Sequence, residues 1–329
     1  MTIFLVILYL LCLVAVLPIF GLCYQSLGKL IDRRRFPAPG RYVEANGQKL
    51  HLVEKGSGPA IVFEAGIASS CLAWATIEKN LAKEFRVVTY DRAGFGWSKR
   101  AKRPRTLENI VNELHGLLEA SGVQRPCLLV GHSYGGLIVR NYATRFPEEV
   151  SGLLLIDPVE AREWMPMTAS QTARLQRGVM LSRRGALLAR FGVVRFCLAL
   201  ALAGSRRLPR LIARWSAGRG ASTTDRLAGE VKKLPPATWP MIRMHWSDER
   251  CFATMADYLE LLPANVCAAE EDGWPSEIPA VVLTVERAQP QLPPGVIHRI
   301  AYGSGHWIQL DQPELVIAAI HELLLSHAD

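Results

Sequence analysis

The sequence predicts an α/β protein: a mostly parallel sheet with helices on both faces and an inserted helical cap, preceded by an N-terminal transmembrane helix. Three observations predict it. Apolar runs of strand length alternate with segments of helical apolar spacing up to residue 158, and again from residue 278. Residues 159–277 keep the helical period but lose the strands. Residues 3–24 hold no charge.

That uncharged run, about 22 residues at about 1.5 Å each, gives about 33 Å, enough to cross a bilayer core. A cleaved signal peptide is the competing reading, but no Lys or Arg precedes the run and no small-x-small cleavage site follows. Lys29, Arg33, Arg34 and Arg35 come next. Basic residues beside a span favour the cytoplasmic side, so residues 1–36 are expected to be a single-pass anchor and basic flank, with the bulk of the protein facing the cytoplasm. Pro37 and Pro39 stiffen the linker that follows.

The core is expected over 37–158 and 278–329. Asn46-Gly47, tolerant of positive φ, joins strands at 41–45 and 48–54 in a hairpin. Strands follow at 60–63 and 86–90, separated by the Glu64-Ala65-Gly66 turn and a helix over about 74–83. A clearer helix repeats Leu107, Ile110, Val111, Leu114, Leu117 and Leu118, with Thr106 as N-cap and Gly122 as stop. Further strands are expected at 127–130, 152–156, 280–285 and 296–301, and a last helix opens at Asp311-Gln312-Pro313-Glu314, an N-cap box. From residue 60 the strands are nearly continuous apolar runs, as when both sheet faces are covered.

The cap, 159–277, is interrupted by Pro209, Pro235, Pro236, Pro240 and Pro263. Its first half is basic: Arg174, Arg177, Arg183, Arg184, Arg190, Arg195, Arg206, Arg207, Arg210, Arg214 and Arg219 stand among apolar residues with almost no acid. Such a stretch either lies on an anionic leaflet or forms a solvated arginine face on a mobile cap. The formal charge of +8 alone would also suit nucleic acid, but no stacking platform or recognition motif accompanies it, so no nucleic-acid partner is expected. Seven scattered cysteines without a C-x-x-C pair indicate neither a disulfide framework nor a zinc site.

Gly131-His132-Ser133-Tyr134-Gly135 places a serine where an apolar strand gives way to a helical pattern. Glycines two residues to either side let the backbone turn sharply, so that the hydroxyl projects instead of packing.

Phe63-Glu64-Ala65-Gly66, then Asp91-Arg92-Ala93-Gly94-Phe95-Gly96-Trp97-Ser98, then Gly131 to Gly136, then Gly303-Ser304-Gly305-His306 resembles, in this order, the α/β-hydrolase superfamily, in its serine-nucleophile, esterase- and lipase-like branch. The resemblance covers residues 41–158 and 278–326. It implies an eight-stranded, mostly parallel sheet, a cap inserted after the sixth strand, and a nucleophile, acid and histidine in that chain order.

A serine hydroxyl needs an imidazole to take its proton. Of eight histidines only His306 lies in a glycine-rich loop after the last strand; His51, His115, His132, His245, His298, His321 and His327 fall elsewhere. The acid has two candidates. Family members commonly carry it after the seventh strand, but Ala288 stands at the aspartate position of 285–288, leaving Glu286 nearby. The other family solution, the end of the sixth strand, falls on Asp157. For the oxyanion two backbone amides suffice, and Tyr134 and Ile67 are the expected donors, although the family usually has His-Gly where this chain has Ala65-Gly66. Asp91 and Arg92 are expected to brace their loop.

Serine at 133 points to acyl transfer, because dehalogenases and epoxide hydrolases attack an sp3 carbon with aspartate in this place. The expectation is a membrane-anchored serine hydrolase acting on a carboxylic ester or related acyl bond, without cofactor or metal. Trp164, Trp239, Met241, Met244 and Trp246 suit an apolar or lipid acyl substrate, or else form the cap's own core. An acyltransferase with the same triad and a noncatalytic anchored scaffold are the alternatives.

Overall fold

A computed structural model describes residues 2–202, 233–275, 277–288 and 290–325. The basic positions Arg206, Arg207, Arg210, Arg214 and Arg219, and His327, lie outside the described residues.

Eight strands form one sheet: β1 (Arg41–Ala45), β2 (Gln48–Lys55), β3 (Ala60–Glu64), β4 (Arg86–Asp91), β5 (Cys127–His132), β6 (Val150–Ile156), β7 (Ala280–Val285) and β8 (Ile297–Ala301). Their order is β1-β2-β4-β3-β5-β6-β7-β8. The β1–β2 hairpin pairs antiparallel and joins β4 antiparallel; from β4 to β8 every pairing is parallel. Parallel neighbours need crossover helices, and these cover both faces.

Helices α3 (Leu107–Ser121) and α4 (Tyr134–Arg145) pack on one face, where Val62, Val88, Leu129 and Leu153 meet Leu114, Leu117 and Ile138. Helix α2 (Ala75–Leu81) and the last helix pack on the other, against Ile61, Phe63, Val130 and Leu154. Adjacent strand residues thus enter different cores, which is why these strands read as unbroken apolar runs. Thr106 accepts from the Asn109 amide, and Gly122 ends α3 at φ 67°, as the sequence leads one to expect.

Between β6 and β7 the described residues form the helices α5 (Ala169–Arg190), α6 (Val193–Leu202), α7 (Trp239–Trp246) and α8 (Glu249–Asp272). Pro263 does not interrupt this segment as the sequence pattern implies, but sits inside α8. Interactions with the core hold that helix: Arg250 donates to Gly96 O (2.8 Å) and Ser98 O, and Asn265 accepts from the Leu107 amide (2.8 Å).

The N-terminal helix α1 runs from Thr2 to Arg35, through Pro18. It contains the apolar run 3–24, of which the side chains at 3 and 5–15 lie outside the described residues. Among the described residues no helix is long and apolar enough to cross a membrane. The end of α1 packs on the helical segment instead of standing free. Gln25 donates to Ser247 O (2.7 Å) and accepts from Arg195 Nε (2.8 Å), Asp32 pairs with Arg195, and Lys29 pairs with Asp248 (3.3 Å). Arg195, expected among the cap arginines that face either an anionic leaflet or solvent, is instead buried in an ion pair.

Helices α9 (Ile308–Asp311) and α10 (Pro313–Leu325) close the chain. Asp311, expected as an N-cap, turns its carboxylate to the Gly305 amide (2.9 Å) and Ser304 Oγ (3.3 Å), while Lys233 pairs with it at 2.8 Å.

Candidate active site

Ser133 stands at the β5–α4 junction with φ 55° and ψ −121°. A side chain adopts this region only under constraint. Here the Ser133 amide donates to Ile156 O and the Gly136 amide to Ser133 O, both at 2.9 Å. The flanking glycines are required by space: a Cβ on Gly131 would lie 2.5 Å from Gly135 O, and one on Gly135 closer still to Glu64 O. The sharp turn keeps the serine at the C-terminal edge of the sheet, half-buried.

The same edge carries the other expected residues. His306, in the loop after β8, places Nδ1 2.6 Å from Asp157 Oδ2. Asp157 follows β6 at φ 41°, with its amide donating to Leu283 O (2.7 Å) and its Oδ1 accepting from the Val285 amide (3.4 Å). The carboxylate is thus aimed by β7 as well as β6. Glu286 is exposed in the turn after β7 and makes no hydrogen bond with His306. Asp311 secures the histidine loop from below; burial would raise its pKa, but hydrogen bonds from Lys233 and the Gly305 amide hold it below the usual carboxylate range. Among the described residues no hydrogen bond joins Ser133 Oγ to His306.

The β3 turn forms the other wall. A Cβ on Gly66 would lie 3.4 Å from Ser133 Cβ, so this backbone passes directly over the nucleophile. Arg92 fixes it: its guanidinium pairs with Glu64 and donates to Ala65 O and, at 2.5 Å, to Gly66 O. Burial pushes the Glu64 carboxyl up, opposed by the Arg92 charge. The next amide, Ile67, has no backbone acceptor among the described residues. The Tyr134 amide, first in α4, has none within its helix. These two donors flank the serine, while the Tyr134 ring is buried and its hydroxyl accepts from Asn265 Nδ2 (2.7 Å).

His132 is the residue whose role the sequence does not disclose. Its Nε2 donates to His306 O (2.9 Å), tying the histidine loop to the elbow. Its Nδ1 is buried without a partner, and burial, aided by His306, pushes its pKa down to about 3. The ring is therefore a neutral strut. Only the spacing of His132 beside Ser133 hints at it; the acceptor lies 174 residues away.

A second cluster sits beneath the Asp91 loop, where ligand atoms of His51, Cys71 and Asp91 lie within 4.8 Å of one another. The Asp91 carboxylate already accepts from His51 Nδ1 (2.8 Å), the Cys71 amide (2.8 Å) and the Trp97 amide (2.9 Å), and burial pushes the Cys71 thiol up. With these three hydrogen bonds holding its carboxylate, Asp91 braces the loop that carries it. Of the apolar cap residues, Met241 and Met244 pack on Val53, Cys71 and Trp97, and Trp246 contacts Phe252. Trp164 packs against the core where the chain leaves β6.

Residues 59–201 match the family model described as the alpha/beta hydrolase fold. The chain has the alpha/beta hydrolase fold. Among solved structures of this fold, a putative epoxide hydrolase mutant from Pseudomonas aeruginosa superposes with a TM-score of 0.65 at 20% identity, over 88% of this chain and 96% of that one. The enol-lactonase from Burkholderia xenovorans LB400 superposes with a TM-score of 0.55 at 20% identity, over 87% and 100%. In sequence, the uncharacterized protein YqjL of Bacillus subtilis is 41% identical over 102 residues, 31% of this chain and 40% of that protein. The chain thus spans less than half the length of that curated relative.

Proposed function

We propose that this alpha/beta hydrolase-fold chain is a serine hydrolase of the esterase- and lipase-like branch, cleaving a carboxylic ester or related acyl bond through a Ser133 acyl-enzyme. The observation that carries this reading is a serine at the strained apex of the elbow, with the His306–Asp157 pair on the same sheet edge. Ser133 Oγ attacks the acyl carbon as His306 Nε2 takes its proton. Asp157 holds Nδ1–H and stabilises the imidazolium. The negative charge formed on the acyl oxygen is received by the Ile67 and Tyr134 amides. His306 then returns the proton to the departing alcohol, leaving Ser133 acylated, and a water activated by the same imidazole releases the acid. Because a serine supplies no carboxylate to form an alkyl ester, this elbow favours acyl chemistry over the epoxide opening named for one structural neighbour.

Residues 1–36 serve in this reading as a single-pass anchor, the core comprises 37–158 and 278–329, and 159–277 form the cap. Support for the anchor comes from the charge-free run 3–24 and the arginines that close α1; these also favour a cytoplasmic catalytic domain. Ser133→Ala should abolish turnover of short and medium p-nitrophenyl esters; unchanged turnover would overturn the reading.

A further inference from the structure

From Leu17 to Asp32 helix α1 is inside out. Gly21, Gln25, Gly28 and Asp32, spaced as one helical face, look toward the cap, and Gln25 and Asp32 are each only 3% exposed. The glycines are there for close approach: a Cβ on Gly21 would lie 2.5 Å from Phe191 O, and one on Gly28 would lie 2.6 Å from Arg195 Nε. Outward stand Leu17, Ile19, Phe20, Leu27, Leu30 and Ile31, between 48% and 71% exposed. A helix docked on a protein in water shows the opposite polarity, apolar inward and polar outward. Small residues and partnered polar groups inside, with bulky apolar groups outside, is the arrangement of a helix in lipid.

The reversal continues past residue 24, where the charge-free run ends, to Ile31. Arg33, Arg34 and Arg35, all exposed, follow at once. On the cap side, Phe196 and Leu187 are 46% and 57% exposed beside exposed Arg184 and Arg190. An apolar surface bordered by arginines complements an anionic leaflet, with acyl chains for the one and headgroups for the other. The buried Arg195–Asp32 pair, completed by Gln25, meets the condition for charges at such a depth, since each finds its partner within the protein.

We infer that lipid reaches along α1 as far as Ile31, with Arg33–Arg35 at headgroup level, and that the α5–α6 corner of the cap, seated on the α1 seam, is immersed in the same leaflet. The occupant of this face is an anionic bilayer. The inference rests on the anchor proposed above and extends it from a tether to a cap partly embedded in the membrane.

The full chain is reconstituted in phosphatidylcholine–phosphatidylglycerol vesicles with a diazirine amino acid placed in turn at Leu27, Ile31, Phe196 and, as a water-facing control on the core, Tyr302, which is 69% exposed. After photolysis, lipid adducts are expected at Leu27, Ile31 and Phe196 at several times the yield at Tyr302. Water adducts at the Tyr302 level, or crosslinks to a second copy, would overturn the embedded cap while leaving the anchor standing. A chain that fails to float with the vesicles in a density gradient would overturn the anchor and the inference together.

Discussion

His306 Nδ1 lies 2.6 Å from Asp157 Oδ2, a bond between residues 149 positions apart that joins the loop after β8 to the end of β6. Of the two acids that the sequence leaves open, Asp157 is the one within hydrogen-bond distance of His306. Asp157 is aimed by two backbone amide contacts, whereas Glu286 points into solvent. Asp157→Asn should therefore lower kcat by about 10³–10⁴-fold, the effect of losing the acid that sets the histidine tautomer. Glu286→Gln should leave it within about twofold, since an exposed side chain that makes no bond to the triad has no interaction to lose. Steady-state ester hydrolysis by both variants checks the pair.

Arg92 holds the turn over the nucleophile and neutralises Glu64, both groups being nearly inaccessible. Arg92→Met leaves an uncompensated buried carboxylate and should destabilise the fold by about 3–5 kcal/mol. Adding Glu64→Gln should recover part of that loss. Urea unfolding of the single and double variants measures it.

Burial holds His132 near a pKa of about 3 and His245 near about 4, below the ordinary histidine value of about 6.5. Both lie below the unfolded value, so above about pH 6.5 neither affects stability. As pH falls below that, the unfolded chain takes up protons that the folded chain refuses, and each histidine removes about 1.4 kcal/mol of stability per pH unit until its folded pKa is reached. His245→Gln should flatten the decline between pH 6.5 and 4.5 relative to the parent chain. Identical slopes in unfolding midpoints across that range would contradict the buried, neutral assignment.

Asn265, on α8, donates to Arg105 O (2.9 Å) and Tyr134 Oη (2.7 Å) and accepts from the Leu107 amide. Asn265→Leu strands these buried groups and should cost about 2–4 kcal/mol. The melting temperature reports the loss, and kcat at a temperature where the variant stays folded reports whether the Tyr134 amide has moved.

The sheet is legible in the sequence because its signals are local: apolar runs, glycine turns, the Thr106 cap and the Gly122 stop act within a few residues of where they stand. The elbow is legible for the same reason. Less legible is whatever depends on a distant partner. Pro263 reads as a break until Arg250 and Asn265 are seen holding α8 to the core. Asp311 reads as an N-cap until the Gly305 amide takes its carboxylate. Arg195 looks like part of a basic face turned to solvent or to a leaflet, and only its meeting with Asp32 on α1 reveals the buried pair. His132 carries no sign of its bond to His306 O, since a backbone acceptor leaves no residue signature.

Covalent labelling of Ser133 addresses the proposed chemistry most directly. The full chain is treated with a fluorophosphonate and digested, and the modified peptide is identified by mass spectrometry. A single adduct on Ser133, absent in Ser133→Ala and formed far more slowly in His306→Ala, is expected. An unmodified Ser133 under conditions that label a control serine esterase would contradict the acyl-enzyme.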